Sequence, residues 1–587
     1  MIPGEVHDLE SETSIDQRRV GQRWRVAEWT LLLLAPPSAW LAFGIVLINQ
    51  DFFIDPWYYV GYGRAFTVLY EMFGWRYYAV RFPVMMLNEL SLSGVHPLIG
   101  YAVLRYLLVL GCGLPLYAWA RRELGRTPAA IGYLFLVCNP LLPRIILWDL
   151  TTFVAVPMAL AGFAVWLLSD RLPWRALSGF LMMASVASHT FTGTAVAAFL
   201  AVQVVRRLRA RDLRRLLLND VAATAGGAAA CFAIGCAYYL ARVGPFDPTL
   251  LVTVPAETIA IGQEYVVTHS TPFSVWAARE YHVYVPPLCV AMSAVLLGRR
   301  VLENTAVASV WWFAAIYTVG YGIYQFVFNS FVLETFYYFA HLTLVVYLLI
   351  PVLVAGFSNV RSRQPQRVLA FAGAAALLVL PLTNHQAPSL GDWLDNYAYS
   401  NVPLLAGMLV AAALLVAGGR TLVSNGAGAM ALGLFLLCVQ AFTLLSPIHR
   451  RVFDSQHRDR ETAVYVAALQ MLDVFEEFSK PGARVIPWHC PTQYSMGSIA
   501  STVLVYSLSD PWSKGPCEAR IGDFEVGQLR ARPRYVLLMN EHPEIFDAQE
   551  TALRGAGYQV KERLTKTIGG DAYRATIRLV EILQETP

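Results

Sequence analysis

The chain has 587 residues, of which 56% are hydrophobic and 15% charged, with a formal net charge of +4. A soluble domain carries about 25% charged residues, and this much apolar surface exceeds what one water-soluble core can hide. The composition therefore excludes a soluble globular protein and implies an integral membrane one. No long basic tract with interleaved aromatics is present, so nucleic acid is not an expected partner.

Residues 1–28 form a polar tail carrying Arg18, Arg19, Arg23 and Arg25, expected on the cytoplasmic side. The apolar run behind it is too long for a cleaved signal peptide and reads as a signal-anchor. About 20 apolar residues cross a bilayer. Runs that meet this test are 29–49, 98–119, 128–144, 152–168, 221–241, 283–298, 305–328, 338–356, 367–383, 402–418 and 428–447. Segment 175–205 lies between two Arg-bearing flanks, "SDRLPWR" and "RRLRARDLRR". Both flanks belong inside by the positive-inside rule, so the chain goes out and back there as two short spans meeting at "SHTFTG". About 13 spans result, over a membrane domain of 29–447.

The loops at 121–126, 169–175, 206–215, 298–300, 361–367 and 418–420 all carry Arg and read as cytoplasmic. The opposite loops hold Asp51, Asp55, Asp149, Asp247, Glu257, Glu264, Glu334, Asp392 and Asp395. An odd number of spans then leaves the C-terminal part outside. All four lysines (Lys480, Lys514, Lys561 and Lys566) lie in the last quarter, a shift that marks a boundary near residue 450. Residues 448–587 read as a small soluble α/β domain. "RETAVYVAALQMLDVFEEF" has helical periodicity, and "ARVIPW", "PRYVLLM" and "YRATIRLVEIL" have strand character. The fold class is thus a polytopic α-helical membrane protein with a small extracytoplasmic α/β domain.

Six of the eight cysteines (Cys112, Cys138, Cys231, Cys236, Cys289 and Cys438) lie in or beside apolar runs, as small buried hydrophobes do. Cys490 and Cys517 lie in the external domain, where a disulfide and two free thiols both remain open. No cysteine spacing matches a zinc or haem site.

The external loop 50–97 contains "DFFIDPWYYVGYGRAF", "FGWRYYAVRFP" and "NELSLSGVHP". Its aromatic and Arg content suits helices lying in the membrane interface. Asp51 ends the first span. Asp55 precedes Pro56, which by local pattern reads first as a helix N-cap, with a carboxylate placed for chemistry at the surface as the alternative. Arg144 and Asp149 bracket a second external loop, with a structural ion pair as the plain alternative. His189 sits at the outward tip of the two short spans, where it and freed backbone amides could meet an anion. Glu264, His269, His282, Glu334, Tyr337, Tyr338 and His341, in or beside later external loops, suggest a polar, aromatic cavity at the outer leaflet.

The order of these features resembles the GT-C superfamily of lipid-dependent glycosyltransferases, in the branch of protein O-mannosyltransferases and lipid A aminoarabinose transferases. "DPWYY" (Asp55 to Tyr59) stands where that branch has "D-E-x-x-Y". "FGWRYYAVRFP" (Phe73 to Pro83) stands for "F-G…A-x-R-x-P", and Arg121 to Arg126 match the cytoplasmic turn. "NPLLPRIILWD" ends at Asp149 as the second external loop, and "HTFTG" (His189 to Gly193) stands for "T-K-G-P". The motifs cover residues 29–205; beyond them the resemblance rests on topology. Two departures stand out: Pro56 replaces a Glu, and His189 replaces a Lys, which would make phosphate contact depend on an imidazole titrating near about pH 6.5.

The resemblance implies an inverting transfer of a sugar from a polyprenyl-phosphate donor to an acceptor hydroxyl at the outer leaflet; the Arg-rich, Lys-poor composition suggests that the membrane is a bacterial inner membrane. Asp55 would be the base, His189 with Arg81 or Arg144 would hold the donor phosphate, and Asp149 would orient the acceptor or hold an Arg. Tyr58, Tyr59, Glu264, Tyr337 and His341 are the candidate sugar or acceptor contacts. The acceptor could be a glycolipid, a glycan or a protein. No cofactor is implied with certainty; a divalent metal is possible but not expected, since Asp55 beside Pro56 is a poor cation site. The alternative is a transporter or flippase for a lipid-linked sugar, which would favour inverted repeats; none is visible.

Overall fold

The computed structural model describes residues 28–40, 80–92, 97–138, 150–215, 220–247, 285–327, 336–359, 485–489, 535–540, 545–555, 557–571 and 573–583, with single positions between them. The helices are α1 (28–40), α2 (Phe82–Leu92), α3 (Pro97–Leu124), α4 (Arg126–Cys138), α5 (Leu150–Leu168), α6 (Leu172–Ser188) and α7 (Thr192–Arg209). They continue as α8 (Ala223–Arg242), α9 (Val285–Leu297), α10 (Ala306–Val327) and α11 (Phe336–Asn359). Among the described residues, six helices are long and apolar enough to cross a membrane. The protein is therefore a multi-pass helical membrane protein. The expected spans at 367–383, 402–418 and 428–447 lie outside the described residues.

Burial divides the helices into centre and rim. In the most apolar stretches of α5 and α11, 89% and 94% of positions are buried, against 17% in α8. The two most buried stretches are also the most apolar of the six, and packing partners decide which helices they meet. The helices of the centre join through aromatic rings. Phe163 of α5 stacks on Phe199 of α7 at 4.3 Å, and Phe313 of α10 meets Phe163 edge-on at 5.3 Å.

Between α6 and its neighbours the contacts are closer. Ser178 and Ser185 donate hydrogen bonds to the carbonyls of Gly162 and Ala155 on α5, each 2.7 Å. On the side toward α8, a methyl group at Gly179 would sit 2.1 Å from the Thr224 carbonyl oxygen, and one at Gly227 would sit 1.8 Å from that of Ala176. The two backbones touch, which only glycine permits. The break between α6 and α7 falls at His189, Thr190 and Phe191, within the expected "SHTFTG".

One end of the bundle gathers arginines. Arg122 donates to the carbonyls of Leu167 and Leu168, capping the last turn of α5. Arg121 and Arg126 pair with Glu28 at 2.5 and 3.0 Å, and the Tyr117 hydroxyl donates to the same carboxylate. Arg175 is buried, stacked 3.9 Å over Trp166, and pairs with Asp170 and Asp220; Arg207 pairs with both acids as well. Two guanidiniums thus face two carboxylates, so the buried charges balance.

Near the C-terminus lies a four-stranded sheet in the order β1-β2-β4-β3, with β1 (Val485–His489), β2 (Tyr535–Asn540), β3 (Gln559–Gly570) and β4 (Tyr573–Leu583). β1 runs parallel to β2, and the other pairs are antiparallel. Pro487 is tolerated because β1 is an edge strand. Helix α12 (Ile545–Gly555) places Phe546 and Leu553 against Val536, Leu538 and Val580. β3 is a strand that periodicity did not suggest: Lys561, Glu562, Arg563 and Lys566 break any apolar alternation, as suits an exposed edge. Its register shifts between Glu562 and Leu564. The described positions within 463–478 are helical, as their periodicity suggests.

Candidate functional site

The end of the bundle opposite the arginine cluster brings together Arg81, His189 and His341. Each is placed by its own local chemistry. Pro83 lies in the first turn of α2, where a missing N–H costs nothing, so the helix starts there and Arg81 becomes its cap. The Arg81 carbonyl accepts the amides of Val84 and Met85 at 3.0 and 3.2 Å. Phe82 then docks on α8, its ring filling the space a side chain at Gly235 would need and meeting Tyr239 edge-on at 6.4 Å. Further along α2, Glu89 pairs with Arg242 and accepts from Tyr238 at 3.2 Å. Arg81 itself is buried, 6% exposed.

His189 ends α6. Its amide donates to the Ser185 carbonyl at 3.0 Å, and its carbonyl accepts the Thr192 amide at 2.9 Å. Gly193 and Thr194 donate likewise to Thr190 and Phe191. The broken span therefore uses these three amides to close its own turn. A tight turn of successive three-residue bonds satisfies the amides of Thr192, Gly193 and Thr194, which are therefore not the freed amides expected to meet an anion there.

The imidazole of His189 lies in this turn and is 2% exposed. Its ring is 4.6 Å from that of His341 and 6.2 Å from Tyr338, both on α11. Burial, then His341, then the Arg81 guanidinium push its pKa well below the ordinary imidazole value. This direction favours the uncharged ring, so contact with a phosphate through it would not follow an ordinary imidazole titration. It would act by donating a hydrogen bond rather than by carrying charge.

An aromatic column walls the group. Phe313, Tyr317 and Tyr321 repeat every four residues along one face of α10, with ring centroids 5.5 and 5.0 Å apart. Phe191 meets Tyr321 at 5.6 Å, Tyr338 at 5.3 Å and His341 at 5.5 Å. Tyr321 donates to the Tyr338 carbonyl at 2.8 Å, and the hydroxyls of Thr194 and Tyr317 lie 3.4 Å apart. Thr192, fully buried, places its hydroxyl 3.2 Å from His341 Nδ1. The site offers one guanidinium, two imidazoles and aromatic walls, a set that suits a small anion carried on an apolar body.

Asp55, Tyr58, Tyr59, Arg144, Asp149, Glu264, Cys490 and Cys517 lie outside the described residues, as do Asp51, His269, His282 and Glu334. Tyr337 lies in the first turn of α11. Among the described residues, no group of three or more His, Cys, Asp or Glu could hold a metal ion. Thr192 escaped notice because a threonine in an apolar helix is ordinary.

The chain is similar to two crystal structures of ArnT from Cupriavidus metallidurans. One, bound to undecaprenyl phosphate, is 14% identical, with 94% of this chain and 98% of that chain covered and a TM-score of 0.48. The other, in the apo state, is 16% identical over the same shares, with a TM-score of 0.44. They belong to the branch that the early motifs resemble. No residue's role follows from a likeness this distant. No family model matches the chain, and no curated protein does.

Proposed function

We propose that this protein is an inverting glycosyltransferase that moves a sugar from a polyprenyl-phosphate donor to an acceptor hydroxyl at the outer leaflet. The observation that supports this reading is the buried group of Arg81, His189 and His341 with its aromatic walls, at the end of the bundle away from the arginine-rich loops. That polarity is what the positive-inside rule predicts for a site facing outward. The reading carries with it a cytoplasmic N-terminus, an external 448–587 domain and a bacterial inner membrane.

In this reading the acceptor oxygen attacks the anomeric carbon as its proton passes to the Asp55 carboxylate. The bond from that carbon to the phosphate oxygen breaks, and the polyprenyl phosphate departs with the electron pair. Arg81 meets the charge that develops on the leaving phosphate, and the imidazoles of His189 and His341 donate hydrogen bonds to it. Direct displacement inverts the anomeric centre. Arg144, Asp149, Tyr58, Tyr59, Glu264 and Tyr337 are the further proposed contacts for phosphate, sugar or acceptor.

The test is transfer of labelled sugar from polyprenyl-phosphate donors by the purified full-length protein, compared with Asp55→Asn. Loss of transfer by at least about a hundredfold is expected from removing a general base. Undiminished transfer by the variant would sink the base assignment. Movement of the intact lipid-linked sugar across vesicles, without transfer, would make the protein a transporter instead.

A further inference from the structure

We propose that Thr192 is a positioning residue that fixes the tautomer of His341, so that His341 presents an Nε2–H to the donor's phosphate; this rests on the reading above. The geometry is specific to this pair. His341 is fully buried on α11, and its Nδ1 lies 3.2 Å from the Thr192 hydroxyl at the start of α7. Its Nε2 is also buried and has no hydrogen-bond partner among the described residues. An unmet buried ring nitrogen is costly unless something arrives to meet it.

A neutral imidazole has one donor and one acceptor, and the partner of one nitrogen decides the role of the other. If the threonine hydroxyl donates to Nδ1, the proton resides on Nε2, which can then donate to a phosphate oxygen. In the opposite arrangement Nδ1–H donates to the hydroxyl and Nε2 carries a lone pair, which repels an anion. Only the first arrangement suits a phosphate beside Arg81. The backbone keeps Thr192 in place: its amide is bound to the His189 carbonyl, and Phe191 and His189 flank the His341 ring at 5.5 and 4.6 Å.

The experiment uses full-length protein in lipid nanodiscs, labelled with 15N-histidine, with His341→Gln to assign the ring. Nitrogen spectra should show His341 protonated at Nε2 in the wild type, a mixed or reversed tautomer in Thr192→Val, and the wild-type pattern in Thr192→Ser. A wild-type ring protonated at Nδ1 overturns the proposal. Binding of undecaprenyl phosphate, with undecaprenol as the control lacking the anion, should weaken about tenfold or more in Thr192→Val and stay within about twofold in Thr192→Ser, the loss expected for one hydrogen bond to a charged group. Unchanged affinity in Thr192→Val, with the wild type binding, overturns this inference alone. No binding of undecaprenyl phosphate by the wild type overturns the donor-phosphate reading and this inference together.

Discussion

His189 shows how environment rewrites a residue's chemistry. In sequence it is an imidazole at an outward tip, where an ordinary titration would be expected. In the fold it lies within 4.6 Å of a second imidazole and close enough to Arg81 to feel its charge. Its pKa is lowered, so the unfolded chain takes up a proton before the folded one does as pH falls. This contribution to stability is full above the free imidazole value of about 6.5 and is lost as pH drops below it. Thermal unfolding in detergent from pH 7.5 to 5.5 should therefore show wild-type protein losing more stability than His189→Asn. Parallel loss in the two proteins would show that the ring does not feel its neighbours in this way. Arg81 was legible earlier, because it stands at the Arg of the "A-x-R-x-P" pattern in "FGWRYYAVRFP". Thr192 was not, because its value lies in a partner 149 residues away.

Helix α6 is where element packing and site meet. Its serines hold it to α5, its glycine face lets α8 approach to backbone contact, and its last residue is followed by His189. Gly179→Leu should push α6 away from α8, since no rotamer removes a Cβ placed 2.1 Å from a carbonyl oxygen. The cost should be at least about 1–3 kcal/mol by thermal or denaturant unfolding, with weaker polyprenyl-phosphate binding because His189 moves with the helix. Gly226→Leu, at a position with open space around it, is the control and should unfold as the wild type does. The helices were legible because span length and hydrophobicity are properties of each segment alone. The strand β3 was not, because an edge strand needs pairing on one side only and carries charges on the other.

For the whole molecule the cluster of Arg121, Arg122, Arg126, Arg175 and Arg207 lies at the end opposite the candidate site, and the proposed orientation follows from that polarity. A protease-sensitive tag fused after Pro587 should be cleaved from the outside of intact cells stripped of any outer membrane. Cleavage only after lysis would reverse the proposed placement of residues 448–587. The same tag also tests the expected odd number of spans, including those that lie outside the described residues.

By itself the sequence determined that this is a membrane protein, where the six described apolar spans run, that a span breaks at "SHTFTG", and that Arg collects at alternate loops. Each of these follows from local composition meeting a bilayer of roughly fixed thickness. Only the tertiary structure decided that His189 meets His341 within reach of the Arg81 charge, and that Thr192 faces the ring that completes the group. Those contacts join positions more than a hundred residues apart. In lipid the exposed and the packed faces of a helix are both apolar, so only the fit of one surface against another selects which side chains meet.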